Sequence, residues 1–171
     1  MDLKTIFREV PDFPKPGINF IDITPMLLDP KAFQWTMERL AAPYQNAGIN
    51  KVVGIESRGF IFGAPLALQL NAGFALIRKK GKLPAATYSH TYDLEYGSDT
   101  IEIHQDAVEA GDRVLLVDDL LATGGTTQAA LSLLEKTPCH IAGTAFVVEL
   151  SFLNGREKLS SYSIHSLVTY E

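Results

Sequence analysis

A chain of 171 residues, 46% hydrophobic and 20% charged, is long enough to bury one core and too short for two independently folded enzyme domains. Its 15 basic and 20 acidic residues leave a formal charge of −5, which excludes broad affinity for nucleic acid or for an anionic membrane, since both require positive potential over an extended face. The single cysteine, Cys139, cannot form an intramolecular disulfide, and Met1-Asp2-Leu3-Lys4 does not read as a secretory start, so the expected location is a reducing cytoplasm.

Leu3, Ile6, Phe7 and Val10 recur at helical spacing and predict a short N-terminal helix, ended by the proline-rich run from Pro11 to Gly17. Asp29-Pro30 supplies an N-cap and a first-turn proline, and Phe33, Met37, Leu40, Ala41 and Tyr44 the apolar stripe of the helix they open. Beyond it the pattern alternates: a strand over 51–55, a helix over 60–70, a strand over 74–77, a long polar stretch, a strand over 100–104, a buried strand over 113–117, a helix over 126–136 and a buried strand over 141–148. The uncharged run from Gly59 to Ile77 reaches membrane-spanning length, but Pro65, Gln69, Asn71 and three glycines divide it into a helix and a strand. Continuously apolar strands separated by helices imply an α/β fold, a central, mostly parallel sheet with helices on both faces. Ligands of such sheets bind at the carboxyl ends of the strands, which directs attention to the loops after Ile55, Ile77 and Val117.

The most informative segment runs from Val114 to Thr127. Four apolar residues lead into Asp118 and Asp119, and Ala122-Thr123-Gly124-Gly125-Thr126 then opens a helix. Backbone N–H groups of such a turn, backed by the helix dipole, bind a phosphate monoester, and the threonine hydroxyls add donors. No Gly-Lys-[Ser/Thr] triplet occurs, which argues against a nucleoside triphosphate. Two carboxylates beside a phosphate must bind something other than that phosphate, sugar hydroxyls or Mg²⁺, so a sugar phosphate is the expected ligand.

This segment resembles the signature of the type I phosphoribosyltransferases for phosphoribosyl pyrophosphate. Glu56-Ser57-Arg58-Gly59-Phe60, the basic run Arg78-Lys79-Lys80-Gly81-Lys82-Leu83-Pro84 and Tyr92-Asp93-Leu94-Glu95-Tyr96-Gly97 are similar to the members of that family that act on adenine, and the match runs in order over nearly the whole chain. The resemblance implies one domain over 1–171, with an N-terminal helix and base-binding hood over 1–28 and a flexible catalytic flap over 78–100. It implies transfer of the phosphoribosyl group to adenine, Mg²⁺ as cofactor, and a homodimer with no nucleic-acid or membrane partner. Asp118 and Asp119 would hold the ribose hydroxyls. Ala122, Thr123, Gly124, Gly125 and Thr126 would hold the 5-phosphate, and Ser57, Arg58, Gly59, Arg78 and Lys82 the pyrophosphate. Glu95 would face N7 of the base, with Arg58, Lys82, Asp118 and Asp119 sharing in catalysis. Ile18, Asn19, Phe20, Ile21 and Leu120 would enclose the base. A cis peptide bond is common in the loop that 56–59 resembles.

Family members often carry Val-Phe-Arg-Asp or Leu-Phe-Arg-Asp in the hood, where this chain has Asn19-Phe20-Ile21-Asp22. Another base, hypoxanthine, xanthine or orotate, therefore stands as an alternative, as does a non-catalytic sensor of phosphoribosyl pyrophosphate on the same fold. Taken singly, each motif has a plainer reading: an acidic turn for Asp118-Asp119, a surface ion pair for Arg58, a solvated face for the basic run, an exposed acid for Glu95.

Overall fold

A computed structural model describes residues 1–94 and 97–171. In chain order its elements are β1 (Arg8–Val10), β2 (Phe20–Asp22), α1 (Thr24–Leu28), α2 (Pro30–Ala41), β3 (Lys51–Ile55), α3 (Gly59–Gln69), β4 (Gly73–Lys79), β5 (Thr87–Asp93), β6 (Ser98–His104), β7 (Arg113–Leu121), α4 (Gly125–Leu134), β8 (His140–Leu150) and β9 (Ile164–Tyr170). Single 3-10 turns lie at Leu3–Thr5, Ala42–Tyr44, Ser151–Leu153 and Gly155–Leu159. Seven strands form one sheet in the order β5-β6-β4-β3-β7-β8-β9, parallel from β4 through β9 and closed at the other edge by the antiparallel β5 and β6.

Alternation along the buried strands divides the core between the two faces of this sheet. Val52, Leu115 and Val117 face α1, α2 and α3 in one apolar cluster with Met26, Leu40, Phe62 and Leu66. Val53, Ile55, Val114 and Leu116 face the other way and meet Ala130, Leu131 and Leu134 of α4, with Ile77 and Ile103. Each large apolar side chain so buried contributes about 1.5–3 kcal/mol. Asp29 caps α2 as its sequence implies, accepting hydrogen bonds from the N–H groups of Lys31 and Ala32 at 2.9 and 3.3 Å.

Three sequence expectations are corrected. The N-terminal helix is a single 3-10 turn capped by Asp2, after which Arg8–Val10 becomes β1 and pairs antiparallel with β2, Glu9 opposite Ile21. Leu3 and Phe7 are buried as their spacing required, but one turn suffices to bury them. The polar stretch after Ile77 contains β5, whose residues pair one for one with β6 from Thr87 opposite His104 to Asp93 opposite Ser98. Thirdly, β7 does not end at Val117: it continues through Asp118 and Asp119 to Leu121, pairing with β8 throughout. The acid pair therefore belongs to a central strand and not to a loop.

Candidate active site

Parallel β3, β4 and β7 run side by side, with Gly54 opposite both Leu76 and Val117; β3 ends first, β4 and β7 run past it, and the candidate residues lie on these carboxyl-terminal stretches and in the segments just beyond them. After β3, the Glu56–Ser57 peptide is cis and Arg58 turns into α3. Gly59 is required there, since a Cβ would stand 2.8 Å from the carbonyl oxygen of Val117 and 3.1 Å from Asp118 Oδ1. The loop backbone thus rests directly on the acid pair.

After β7, Gly124 adopts φ +78°, the left-handed conformation that glycine alone takes freely, and caps α4. The first-turn N–H groups of α4 have no acceptor within the helix and point into the turn. Asp118, Asp119, Leu120 and residues 122–127 line a cavity of about 160 Å³ with Arg58. A second cavity of about 370 Å³ is lined by Glu56, Ser57, Arg58, Asp118, Asp119 and Thr126. A third of about 290 Å³ lies between the strand ends and the β5–β6 hairpin, bordered by Glu56, Arg78, Lys79, Tyr92, Leu94, Asp99 and Thr126 among others. Thr126 borders all three, the first and second share Arg58, Asp118 and Asp119, and the second and third share Glu56, so the three adjoin as one groove.

Electrostatics divide this groove. Burial pushes the Asp118 carboxyl well above the usual range and the adjacent Asp119 charge raises it further. Burial raises Asp119 too, against the pull of Arg58, whose Nε lies 2.7 Å from Asp119 Oδ2. On the opposite side, Glu56 resists its own partial burial. It accepts hydrogen bonds from Lys82 Nζ at 2.5 Å and the Lys79 N–H at 2.9 Å, and with Arg78 Nε 3.4 Å away its pKa falls to about 2. Arg78 Nε is buried without hydrogen-bond geometry to any acceptor among the described residues, and Arg78 Nη1 donates to the Lys82 carbonyl at 3.3 Å.

Ser57, Arg58, Gly59, Asp118, Asp119, Leu120 and 122–126 are thus gathered at one place, and Arg78 and Lys82 reach it through Glu56. Glu95 lies outside the described residues, directly after Leu94, which borders the third cavity. The hood stands apart. Phe20 packs edge-on to Phe13 at 5.3 Å and borders a separate cavity of about 200 Å³ with Val10, Phe13 and Asp22. Asn19 donates to Glu9 Oε2 at 2.9 Å, and Ile18 and Ile21 border none of the cavities described. Ile21 and Leu120 meet only as partly buried side chains on the same apolar cluster.

Sequence reasoning omitted Glu56 from the site. The signal was present, because a run of four basic residues after one strand calls for a counter-charge, and Glu56 is the acid at the end of the neighbouring strand.

An acid pair on a central parallel strand, followed by a glycine-rich turn into a helix, defines a protein built to hold a phosphorylated sugar. The model of the phosphoribosyl transferase domain matches residues 26–166. An adenine phosphoribosyltransferase of Synechococcus sp. is 56% identical over 171 residues, the whole of both chains, and one of Acetivibrio thermocellus is 56% identical over 99% of this chain and all of that one. Among solved structures, adenine phosphoribosyltransferase from Thermoanaerobacter pseudethanolicus superposes with a TM-score of 0.94 at 51% identity, covering 98% of each chain. The Saccharomyces cerevisiae enzyme, solved with an imino-altritol bisphosphate and adenine, gives 0.91 at 42% identity over 96% of each chain. The chain belongs to the phosphoribosyl transferase domain family.

Proposed function

We propose that this protein transfers the 5-phosphoribosyl group of phosphoribosyl pyrophosphate to adenine, giving AMP and pyrophosphate in a salvage reaction for the free base. The observation that carries the reading is the single groove in which a phosphate turn, an acid pair and a cluster of cations share Thr126 as a common wall. It is supported by the relatives of this length and fold, which are named adenine phosphoribosyltransferases.

In this reading the turn from Ala122 to Thr126 holds the 5-phosphate, and Asp118 and Asp119 accept hydrogen bonds from the ribose hydroxyls. Arg58, Arg78 and Lys82, with the backbone of Ser57 and Gly59, hold the pyrophosphate. The C1–O bond breaks with its electron pair leaving on pyrophosphate, and N9 of adenine bonds to C1 from the opposite face. Positive charge grows on the ribose in between, and carboxylates fixed beside it are worth more there than with the neutral sugar. Adenine gives up an imidazole proton on coupling at N9, and Glu95, facing N7, balances that charge by general acid–base action. The hood segment from Ile18 to Ile21 and Leu120 enclose the base, Asn19 through its backbone alone because its side chain is held by Glu9.

The donor set suits a hard divalent cation. Asp118 and Asp119 are adjacent oxygen donors, and among the described residues the one ion pair they make is that of Asp119 with Arg58. No three His, Cys, Asp or Glu side chains converge among those residues, so Mg²⁺ would be held near the pair mainly through substrate oxygens and water. When bound, it supplies positive charge to the pyrophosphate oxygens.

We place the protein in the cytoplasm, in keeping with its lone cysteine; among the described residues no helix is long and apolar enough to cross a membrane. A homodimer is favoured by Ile61 and Leu68, exposed seven residues apart on α3 at 38% and 84%, although Phe62 and the N-terminal Leu3 and Phe7 belong to the core. Turnover with a panel of bases, phosphoribosyl pyrophosphate and Mg²⁺ tests the function. AMP formation from adenine is expected, and turnover of another base in its place would overturn the reading.

A further inference from the structure

Behind the phosphate turn lies a second, unexplained close approach of backbones. A Cβ on Gly155 would stand 2.2 Å from the Ala122 carbonyl oxygen and 3.0 Å from the Gly124 nitrogen. A Cβ on Gly124 would in turn stand 2.6 Å from the Gly155 carbonyl oxygen. Gly155 opens the 3-10 turn that ends at the fully buried Leu159, and Arg156 anchors it. Arg156 Nε and Nη2 donate to the two carboxylate oxygens of Glu149 at 2.8 and 2.6 Å, and Nη1 reaches the Ile164 carbonyl at 3.4 Å. Glu149 is buried on β8, in register with Leu121, the residue before Ala122. A planar, two-pronged pair of this kind fixes orientation as well as distance. The carboxyl ends of β7 and β8, the first residue of β9 and the back of the phosphate turn are thus tied together.

We propose that Gly155 and the Arg156–Glu149 pair are positioning residues for the 5-phosphate: they set the turn from Ala122 to Gly125 at the depth where its N–H groups converge, without touching the ligand. Neither Gly155 nor Arg156 borders the groove. The inference rests on the phosphate-binding reading of the turn. It predicts an effect confined to one end of the substrate, because the pyrophosphate is held from β3 and β4 instead.

Ribose 5-phosphate and inorganic pyrophosphate, each titrated calorimetrically with Mg²⁺ present, separate the two ends. Gly155→Ala is expected to weaken ribose 5-phosphate about tenfold or more, since displacements near 1 Å carry penalties of that order, and to leave pyrophosphate affinity within about twofold. KM for phosphoribosyl pyrophosphate rises while KM for adenine is unchanged. Arg156→Met gives the same pattern more weakly and Arg156→Lys restores part of it; if Gly155→Ala does not fold, these two carry the test. Unchanged ribose 5-phosphate affinity in a folded variant, or equal loss at both ends, overturns the proposal. Failure of the wild-type protein to bind ribose 5-phosphate would instead overturn the reading of the turn itself.

Discussion

The two sides of the groove treat carboxylates in opposite ways. Glu56, after β3, is surrounded by donors from Lys79, Lys82 and Arg78 and is held ionised down to about 2. Asp118, partly buried, and Asp119, buried and ion-paired with Arg58, are adjacent on β7, and both resist ionisation. One side is already satisfied by the protein, whereas the other holds carboxyl groups whose ionisation the protein leaves largely uncompensated. Buried charge in that condition is costly, and it persists where a ligand completes it. The acid pair is therefore the preformed half of the site. The cations tied to Glu56 are the half that must exchange one anion for another when pyrophosphate arrives.

The largest effect is expected on the preformed half. Replacing both Asp118 and Asp119 by Asn should lower kcat/KM by about 10²–10³ or more while the far-ultraviolet circular dichroism stays native. A double variant with near-normal turnover would remove the acid pair from the mechanism. On the other half, Lys82→Ala should raise KM for phosphoribosyl pyrophosphate about tenfold with a smaller change in KM for adenine, because the lost ion pair is half exposed and partly screened.

Stability should separate the two halves by sign. The folded-state pKa of Asp118 is raised above 3.8, so the folded protein binds the proton more tightly, and stability from this group is lost as pH rises from about 3.8 through the raised value. The folded-state pKa of Glu56 is lowered from 4.5 to about 2, so its contribution is full above 4.5 and lost as pH falls toward 2. Urea midpoints across pH should therefore flatten at the upper end in Asp118→Asn and at the acid end in Glu56→Gln. The same slope in both variants would erase the contrast. The smallest effect is expected in the hood, where Asn19→Val should change kcat/KM for adenine by less than about twofold, since its side chain is exposed and engaged with Glu9. A shift in base preference would give Asn19 a role in recognition.

This division also explains what could be read from the sequence. Val114 to Val117 is apolar because both faces of β7 are covered, and Gly124 is glycine because the turn needs a positive φ; the first cause is tertiary and the second local, but each leaves its pattern in contiguous residues. The strand over 87–93 was hidden because its alternation sets Tyr88, His90 and Tyr92 against threonine, serine and aspartate, and polar composition outweighs period in such a run. Its pairing with β6 is tertiary. Glu56 opens a contiguous motif but matters through cations on and after a neighbouring strand, and Gly155 matters through a loop more than 30 residues earlier in the chain, so the role of neither is announced locally. The N-terminal helix failed where the spacing of Leu3, Ile6 and Phe7 fitted a single turn as well as about two.

The most direct test of the division is the affinity of the Arg78→Ala/Lys82→Ala protein for ribose 5-phosphate and for pyrophosphate, measured separately with Mg²⁺. A cradle built into the core predicts ribose 5-phosphate binding within about twofold of wild type and pyrophosphate binding weakened by about tenfold or more. Equal loss of both ligands would contradict it and would make the groove a single site whose sugar half depends on the cations held by Glu56.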